Sequence, residues 1–198
     1  LHINPSKIIV APYALSLGLK NARNQDSSSI IIDIGGGTTD VALIKNGDII
    51  GTKMFAMGGR VFTKRIQKEL GLSYEESEEK KIKYSNSELT EVERKNLRGF
   101  LQKDVKVWLS GVEIALEDFE DVEEFPSEIF LCGGGALLPE IQEELIAYPW
   151  TKYLNFSKFP KVDFVFPNHL SSIVDKTKTA NLPIDVTPLV LARMHLEI

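Results

Sequence analysis

The spacing of apolar and polar residues differs along the chain, and this pattern predicts the fold. The short apolar runs Ile30–Ile34 and Glu128–Cys132 have the length and composition of buried strands. Residues 58–122 instead show helical spacing almost throughout. We therefore predict an α/β fold in which residues 1–57 and 123–198 form a mixed sheet flanked by helices. Residues 58–122 would form an inserted, mainly helical subdomain.

Local signals predict where the helices of this inserted segment begin. Ser73 and Thr90 are each followed three residues later by a glutamate, which is the pattern of a capping box. From Val92 to Leu116, apolar residues recur at helical spacing. We therefore predict one long amphipathic helix there, with Trp108 in the core.

A glycine turn carries most of the chemical information in the sequence. An apolar strand leads into two acids that flank three glycines and two threonines, namely Asp33, Gly35, Gly36, Gly37, Thr38, Thr39 and Asp40. Glycines let backbone N–H groups approach an anion, the first acid can hold hydrated Mg²⁺, and the threonines add hydroxyl donors. The turn is therefore predicted to bind the phosphates of a metal–nucleotide complex, and a plain tight turn is the alternative.

Two common phosphate loops do not fit this segment. No lysine follows the glycines, as the Walker loop requires, and no helix opens there, as the dinucleotide fingerprint requires. A second apolar run follows instead, and Lys45–Asp48 contains the Asn-Gly pair typical of a hairpin.

A second glycine cluster follows the strand that ends at Cys132. Gly133, Gly134, Gly135 and Ala136 precede Pro139, which suits the first turn of a helix. Such a strand–turn–helix is common by itself, but it is more informative about a hundred residues after the first glycine turn.

Taken in this order, the motifs resemble those of the actin-like ATPases. The G-G-x-x-x-T segment from Gly58 to Thr63 and the E-x-x-K-x-x-Y segment from Glu78 to Tyr84 are similar to those of FtsA, a family of bacterial cell division proteins. They resemble the PilM family of pilus proteins more loosely. Ser77 and Ser85 stand where these families have alanine and glycine.

The resemblance implies an ATP site with assigned residues. Phosphates would lie at the glycine turn and near Gly58 and Gly59, and Asp33 would hold the water shell of Mg²⁺. Asp40 would do the same or cap the turn. The nucleoside would lie near Gly133, Gly134, Gly135, Ala136, Glu78 and Lys81.

The two ends of the chain also resemble parts of that fold. The segment from Ile8 to Ser16 resembles the helix that connects the two lobes, and Thr187 and Pro188 would be the N-cap and first residue of a returning helix. No second D-x-G motif precedes Asp33. We therefore expect the chain to be the second lobe of a longer protein.

The resemblance implies a cytoskeletal role in bacterial cell division. The longer protein would be a cytoplasmic scaffold that polymerises, hydrolyses ATP slowly at most, and recruits FtsZ to the inner face of the membrane. The alternatives are a PilM-like pilus assembly platform, a sugar or acyl-phosphate kinase, and a DnaK-like chaperone. The helical motifs disfavour the kinase.

Composition and charge limit the kinds of partner and site that we expect. The 198 residues carry a formal net charge of −5 and no basic patch with interleaved aromatic residues, so nucleic acid is not an expected partner. A single cysteine, Cys132, cannot form an internal disulfide and is expected to be a packed core residue. His2, His169 and His195 are scattered, which argues against a metal cluster.

Overall fold

A five-stranded sheet with the order β3-β2-β1-β4-β5 forms the centre of the computed structural model, which describes residues 8–20, 28–170 and 173–196. The strands are β1 (Ser29–Ile34), β2 (Thr39–Lys45), β3 (Asp48–Phe55), β4 (Glu128–Cys132) and β5 (Lys161–Phe164). The α-helices of the described residues are α1 (Ala11–Lys20), α2 (Gly59–Leu70), α3 (Tyr74–Ser85), α4 (Glu91–Glu117), α5 (Pro139–Ala147), α6 (Trp150–Tyr153) and α7 (Val186–Leu196).

The sheet is mixed, which confirms the predicted fold class. β2 lies antiparallel to both β1 and β3, whereas β4 lies parallel to β1 and β5. Between β2 and β3 the predicted hairpin is present, because Asn46 and Gly47 both adopt positive φ angles, of 53° and 78°. β1 therefore lies in the middle of the sheet, with its carboxyl end beside that of β4.

The central strand is buried on both faces, so two hydrophobic layers enclose the sheet. Ile30, Ile32 and Ile34 of β1 pack in the layer that contains α4 and α5. Ile31, between them, packs in the opposite layer with α1 and α7. Because side chains alternate along a strand, Asp33 points to the same side as Ile31.

Helices α2, α3 and α4 follow one another in the chain between β3 and β4, where the sequence predicts helices. Ser73 and Thr90 accept hydrogen bonds from the amides of the residues three positions later, which confirms both capping boxes. α4 is a single helix of 27 residues, and Trp108 is fully buried as predicted. The same hydrophobic cluster contains α4 and β1, so the division into two subdomains stays a prediction.

The start of α7 differs from the prediction. The helix begins at Val186, directly after a 3₁₀ turn over Pro183–Asp185, so Thr187 lies inside the helix and is not its N-cap. The carboxylate of Asp185 accepts hydrogen bonds from the amides of Asn181 and Leu182 and so stabilises this 3₁₀ turn, which runs directly into α7.

Within the described residues, no helix is both long enough and apolar enough to cross a membrane. His2 lies outside this part of the chain.

Candidate functional site

The glycine turn between β1 and β2 is joined to the first turn of α2. The turn itself is closed by a 2.9 Å hydrogen bond from the amide of Gly35 to the carbonyl of Thr38. The amides of Gly59 and Arg60 then donate to the carbonyls of Gly35 and Gly36, at 2.9 and 2.8 Å. Two of the otherwise unpaired N–H groups at the start of α2 are therefore satisfied by the turn.

Gly58 permits this close approach. A Cβ on Gly58 would lie 2.5 Å from the carbonyl oxygen of Gly35 and 3.0 Å from that of Gly36. A larger residue would therefore separate the helix from the turn. Gly58 packs against the backbone of the turn, and it does not line the cavity described below.

The amides of Gly36 and Gly37 remain available at this turn. Both residues are exposed, and no acceptor in the described part of the chain takes a hydrogen bond from either N–H group. Adjacent unpaired amides are suitable donors for an anion.

The second glycine cluster packs against the end of β1. Gly133 has a φ of +83°, and a Cβ there would overlap with Oδ1 of Asp33 and the carbonyl oxygen of Ile34. Only glycine fits at this position without moving the acid. The absence of a side chain on Gly133 therefore lets the second glycine cluster pack directly against Asp33, which itself lines the cavity described below.

Asp33 is the central acid of the site. Its side chain is buried, and Thr187 of α7 donates a 2.8 Å hydrogen bond to Oδ2. Burial raises the pKa of Asp33, and hydrogen bonds from Thr187 and Cys132 offset part of that rise. The ionised form of such a buried carboxylate is stabilised when a cation replaces the water that it has lost.

Asp40 of β2 lies directly opposite Asp33 of β1, on the neighbouring strand. It is half-buried, and its pKa is raised by burial first and then by the charge of Asp33. Two neighbouring carboxylates of this kind favour a cation between or beside them.

Helix α3 contributes an acid and a base that are bonded to each other. Nζ of Lys81 donates to Oε2 of Glu78 and Oγ1 of Thr63, both at 2.8 Å, and to the carbonyl of Gly59 at 3.1 Å. Burial raises the pKa of Glu78, but hydrogen bonds from Lys81 and Thr63 outweigh it and the net pKa is lowered. Glu78 is therefore ionised at neutral pH, and the hydrogen bonds of Lys81 fix α3 to the start of α2.

Several of these groups line one cavity of about 540 Å³. Nine of the residues that the sequence predicts line it: Asp33, Gly35, Gly36, Gly59, Glu78, Lys81, Gly133, Gly134 and Gly135. Its volume lies within the range of small-molecule and cofactor sites. The structure thus brings three distant parts of the sequence to one concave site.

Other predicted residues lie outside the cavity lining, namely Gly37, Thr38, Thr39, Asp40, Gly58 and Ala136. Thr39 has a different role from the predicted phosphate donor, because its hydroxyl donates to the carbonyl of Met57 at 2.7 Å and accepts from Nε1 of Trp108 at 2.9 Å. Its one hydroxyl hydrogen is therefore committed within the core. Ala136 is fully buried and packs in the core.

The cavity also contains residues that the sequence interpretation did not assign. Thr187 and Arg60 add a hydroxyl and a cation, and the remaining lining comes from Tyr74, Ile82, Ser85, Asn86, Leu137, Leu182 and Ile184. Ile184 is half exposed and lies against Gly134. An apolar wall beside one glycine cluster and free amides beside the other can hold a ligand with an apolar part and an anionic part.

The arrangement suits Mg²⁺ only together with such a ligand. Among the described residues, no three His, Cys, Asp or Glu side chains lie close enough to hold a metal ion. Mg²⁺ often takes only one or two protein carboxylates and completes its shell with water and phosphate. Asp33, which lines the cavity, fits that requirement.

Comparison with known proteins gives consistent results. The family model described as cell division protein FtsA matches residues 30–153. The cell division protein FtsA of Enterococcus hirae is 26% identical over 155 residues, which cover 69% of this chain and 35% of that protein. The chain thus spans about a third of the length of this curated relative.

Solved structures agree on the fold. A PilM-PilN type IV pilus biogenesis complex superposes with a TM-score of 0.66 and 21% identity, covering 99% of this chain and 55% of the other. MreB 5 of Spiroplasma citri bound to AMPPNP superposes with a TM-score of 0.61 and 18% identity, covering 94% and 58%. The fold is therefore actin-like.

Proposed function

Because this chain belongs to the FtsA family of cell division proteins, we propose that its cavity binds ATP with Mg²⁺ and that it acts in cell division. The convergence of both glycine turns and Asp33 on one cavity carries this proposal. The solved MreB 5 is bound to AMPPNP, a nucleotide analogue, and shares this fold.

The two ends of the cavity suit different parts of the nucleotide. The unpaired amides of Gly36 and Gly37 would donate to phosphate oxygens. Gly134 and Ile184, which lie against each other, would contact the nucleoside, and Glu78 of α3 lines the same cavity. Oε2 of Glu78 already accepts two hydrogen bonds, so its second oxygen is the one available to a ribose or base.

Asp33 would hold the water shell of the metal ion, and Thr187 keeps it oriented. When bound, Mg²⁺ would neutralise part of the phosphate charge. The hydrogen bond from Thr187 uses one acceptor position of Oδ2, and an ionised carboxylate has further acceptor positions that a metal-bound water could use.

We also propose the cellular role of the full-length protein from its family. It would associate with itself in an ATP-dependent manner and bind FtsZ at the membrane. The match to the FtsA family over residues 30–153 supports this role. A pilus assembly role is the second candidate, because the PilM-PilN complex superposes over 99% of this chain. Binding assays against purified FtsZ and PilN would distinguish the two roles.

Calorimetric titration of this chain with ATP, with and without Mg²⁺, tests the site. Gly36→Ala should fold, because the added Cβ would contact only the Arg60 side chain, at 3.5 Å or more. It should weaken ATP binding by about tenfold or more, since it obstructs charge-assisted hydrogen bonds worth roughly 1.5–3 kcal/mol. Asp33→Asn should remove the dependence of affinity on Mg²⁺.

The control is Gly99→Ala on the exposed side of α4, where an added Cβ would meet nothing within 4 Å. It should bind ATP like the unaltered chain. Normal ATP affinity in both site variants, with circular dichroism unchanged, would show that the cavity is not the nucleotide site.

A further inference from the structure

Arg60 is fixed at the glycine turn by its own backbone. It is the second residue of α2, and its amide donates to the carbonyl of Gly36 at 2.8 Å. Its guanidinium lies over the turn, because a Cβ on Gly36 would stand 3.5 Å from Nε and one on Gly37 would stand 3.6 Å from Nη1. The cation therefore lies beside the two unpaired amides.

The guanidinium has no acidic partner among the described residues. Arg65 and Arg98, in contrast, pair with Asp104 and Glu143. Arg60 is exposed and lines the cavity. An uncompensated arginine beside open amides is placed for an anion from solution.

Lys81 is the other cation in the cavity lining, and its hydrogen atoms are already used. It has three N–H bonds, and it donates to Gly59, Thr63 and Glu78. Glu78 also neutralises its charge at 2.8 Å. Of the two cations, Arg60 is thus the one whose charge and donors remain for a ligand.

We infer that Arg60 is a phosphate ligand of this site and makes it select phosphorylated nucleosides over free nucleosides; this rests on the proposed nucleotide site. The glycine turn contains no lysine, so it supplies dipoles but no full positive charge. The planar guanidinium fork can donate two parallel hydrogen bonds to one phosphoryl group. Arg60 therefore does for this turn what a lysine does in a Walker loop.

The test compares three titrants on the same variants. Arg60→Gln should weaken Mg-ATP and Mg-ADP binding by about tenfold, the size expected for losing a charged hydrogen bond, and should leave adenosine binding unchanged. Arg60→Lys should recover part of the loss, since it restores the charge but not the fork. Affinities can be measured by calorimetry or by NMR shifts at millimolar ligand.

Lys68→Gln is the matched control. It removes the same charge from the same helix, at an exposed position about 12 Å further along the axis. It should leave the affinities for all three titrants unchanged. If it weakens ATP binding as much as Arg60→Gln does, net charge explains the effect and the inference fails.

The remaining outcomes separate this inference from the proposed function. If the unaltered chain binds Mg-ATP and Arg60→Gln binds it equally well, Arg60 is not a ligand and the nucleotide site stands. If Arg60→Gln weakens adenosine and ATP equally, its role is structural and the inference fails. If the unaltered chain binds none of the three titrants, both proposals fail.

Discussion

At the residue scale, two buried acids of this protein differ in what surrounds them. Asp33 accepts from Thr187 and opens onto the cavity. Glu140, at the start of α5, is fully buried; Oε1 accepts from the hydroxyl of Tyr84, and Oε2 has no partner among the described residues. Asp33 lines a cavity that a cation could enter, whereas Glu140 is fully buried and is costly to ionise.

Glu140 should therefore make stability depend on pH. Burial raises its pKa above the ordinary value of 4.5, with smaller opposing effects from Tyr84 and Arg98. Because the folded-state pKa is the higher one, Glu140 favours folding at low pH, and that contribution is lost as pH rises through the folded-state pKa. A tenfold difference in the ionisation constant of this acid between the folded and unfolded chain corresponds to about 1.4 kcal/mol of stability.

Glu140→Gln removes this titration while keeping an acceptor for Tyr84. Urea unfolding of both proteins between pH 4.5 and 7.5 should show that the unaltered chain loses stability relative to the variant as pH rises. Asp33 titrates in both proteins, so its effect cancels in the difference. A difference in unfolding free energy that stays constant over this range would contradict the prediction.

The threonines show which residue contacts can be predicted from sequence. Thr39 follows the alternation of Val41 and Leu43, so a stricter use of the two-residue period would have placed its side chain in the core. The bond from Thr187 to Asp33 joins residues 154 positions apart. No local pattern contains that contact, because it depends on how α7 packs beside β1. Arg60 could have been predicted as a site residue, because it is the cation that directly follows Gly58 and Gly59.

At the scale of single elements, local signals predicted most of the helices and strands. The capping boxes of α3 and α4 and the hairpin between β2 and β3 depend on a few neighbouring residues, and all three are present. The predicted start of α7 was wrong because a 3₁₀ turn over Pro183–Asp185 runs directly into the helix, and such a short turn has no simple periodic signal.

Two glycines within α4 allow a test of how this helix packs. Gly99 has open space around it, whereas a Cβ on Gly111 would lie 2.8 Å from the ring of Phe55 in β3. Gly99→Ala should stabilise the protein by about 0.5–1 kcal/mol through helix propensity. Gly111→Ala should not raise the free energy of unfolding in this way, because displacing a packed ring costs roughly 1–3 kcal/mol and offsets the helix propensity.

Thermal and urea unfolding of the two variants measure this contrast, and each is the control for the other. Equal stabilisation by both substitutions would mean that Phe55 is free to move and that α4 does not press on the sheet at Gly111.

At the scale of the whole molecule, the acidic side of α3 is a candidate contact surface for assembly. Glu75 and Glu79 are exposed, and neither lines the cavity. Glu76 between them has a structural role, because its carboxylate accepts from the amide of Ser73 in the capping box. We therefore choose Glu75 and Glu79 for charge reversal, although Glu79 also pairs with Lys83 at 2.7 Å.

In the full-length protein, Glu75→Lys with Glu79→Lys should weaken self-association or FtsZ binding several-fold and leave ATP affinity unchanged, because surface charges steer partners. Co-sedimentation and pull-down beside an ATP titration measure this. Glu120→Lys with Glu123→Lys makes the same charge change at exposed positions after α4. Loss of ATP binding with intact assembly would reverse the assignment of the two surfaces.

The hydrogen bonds from α2 to the glycine turn have a mechanical consequence. The turn cannot shift towards an arriving phosphate unless α2 shifts with it or the bonds to Gly35 and Gly36 break. Lys81 extends the connection to α3 through the carbonyl of Gly59. Turn, α2 and α3 are thus connected by a continuous set of hydrogen bonds. We therefore expect a displacement of the turn to be transmitted to α3, the helix that carries Glu75 and Glu79.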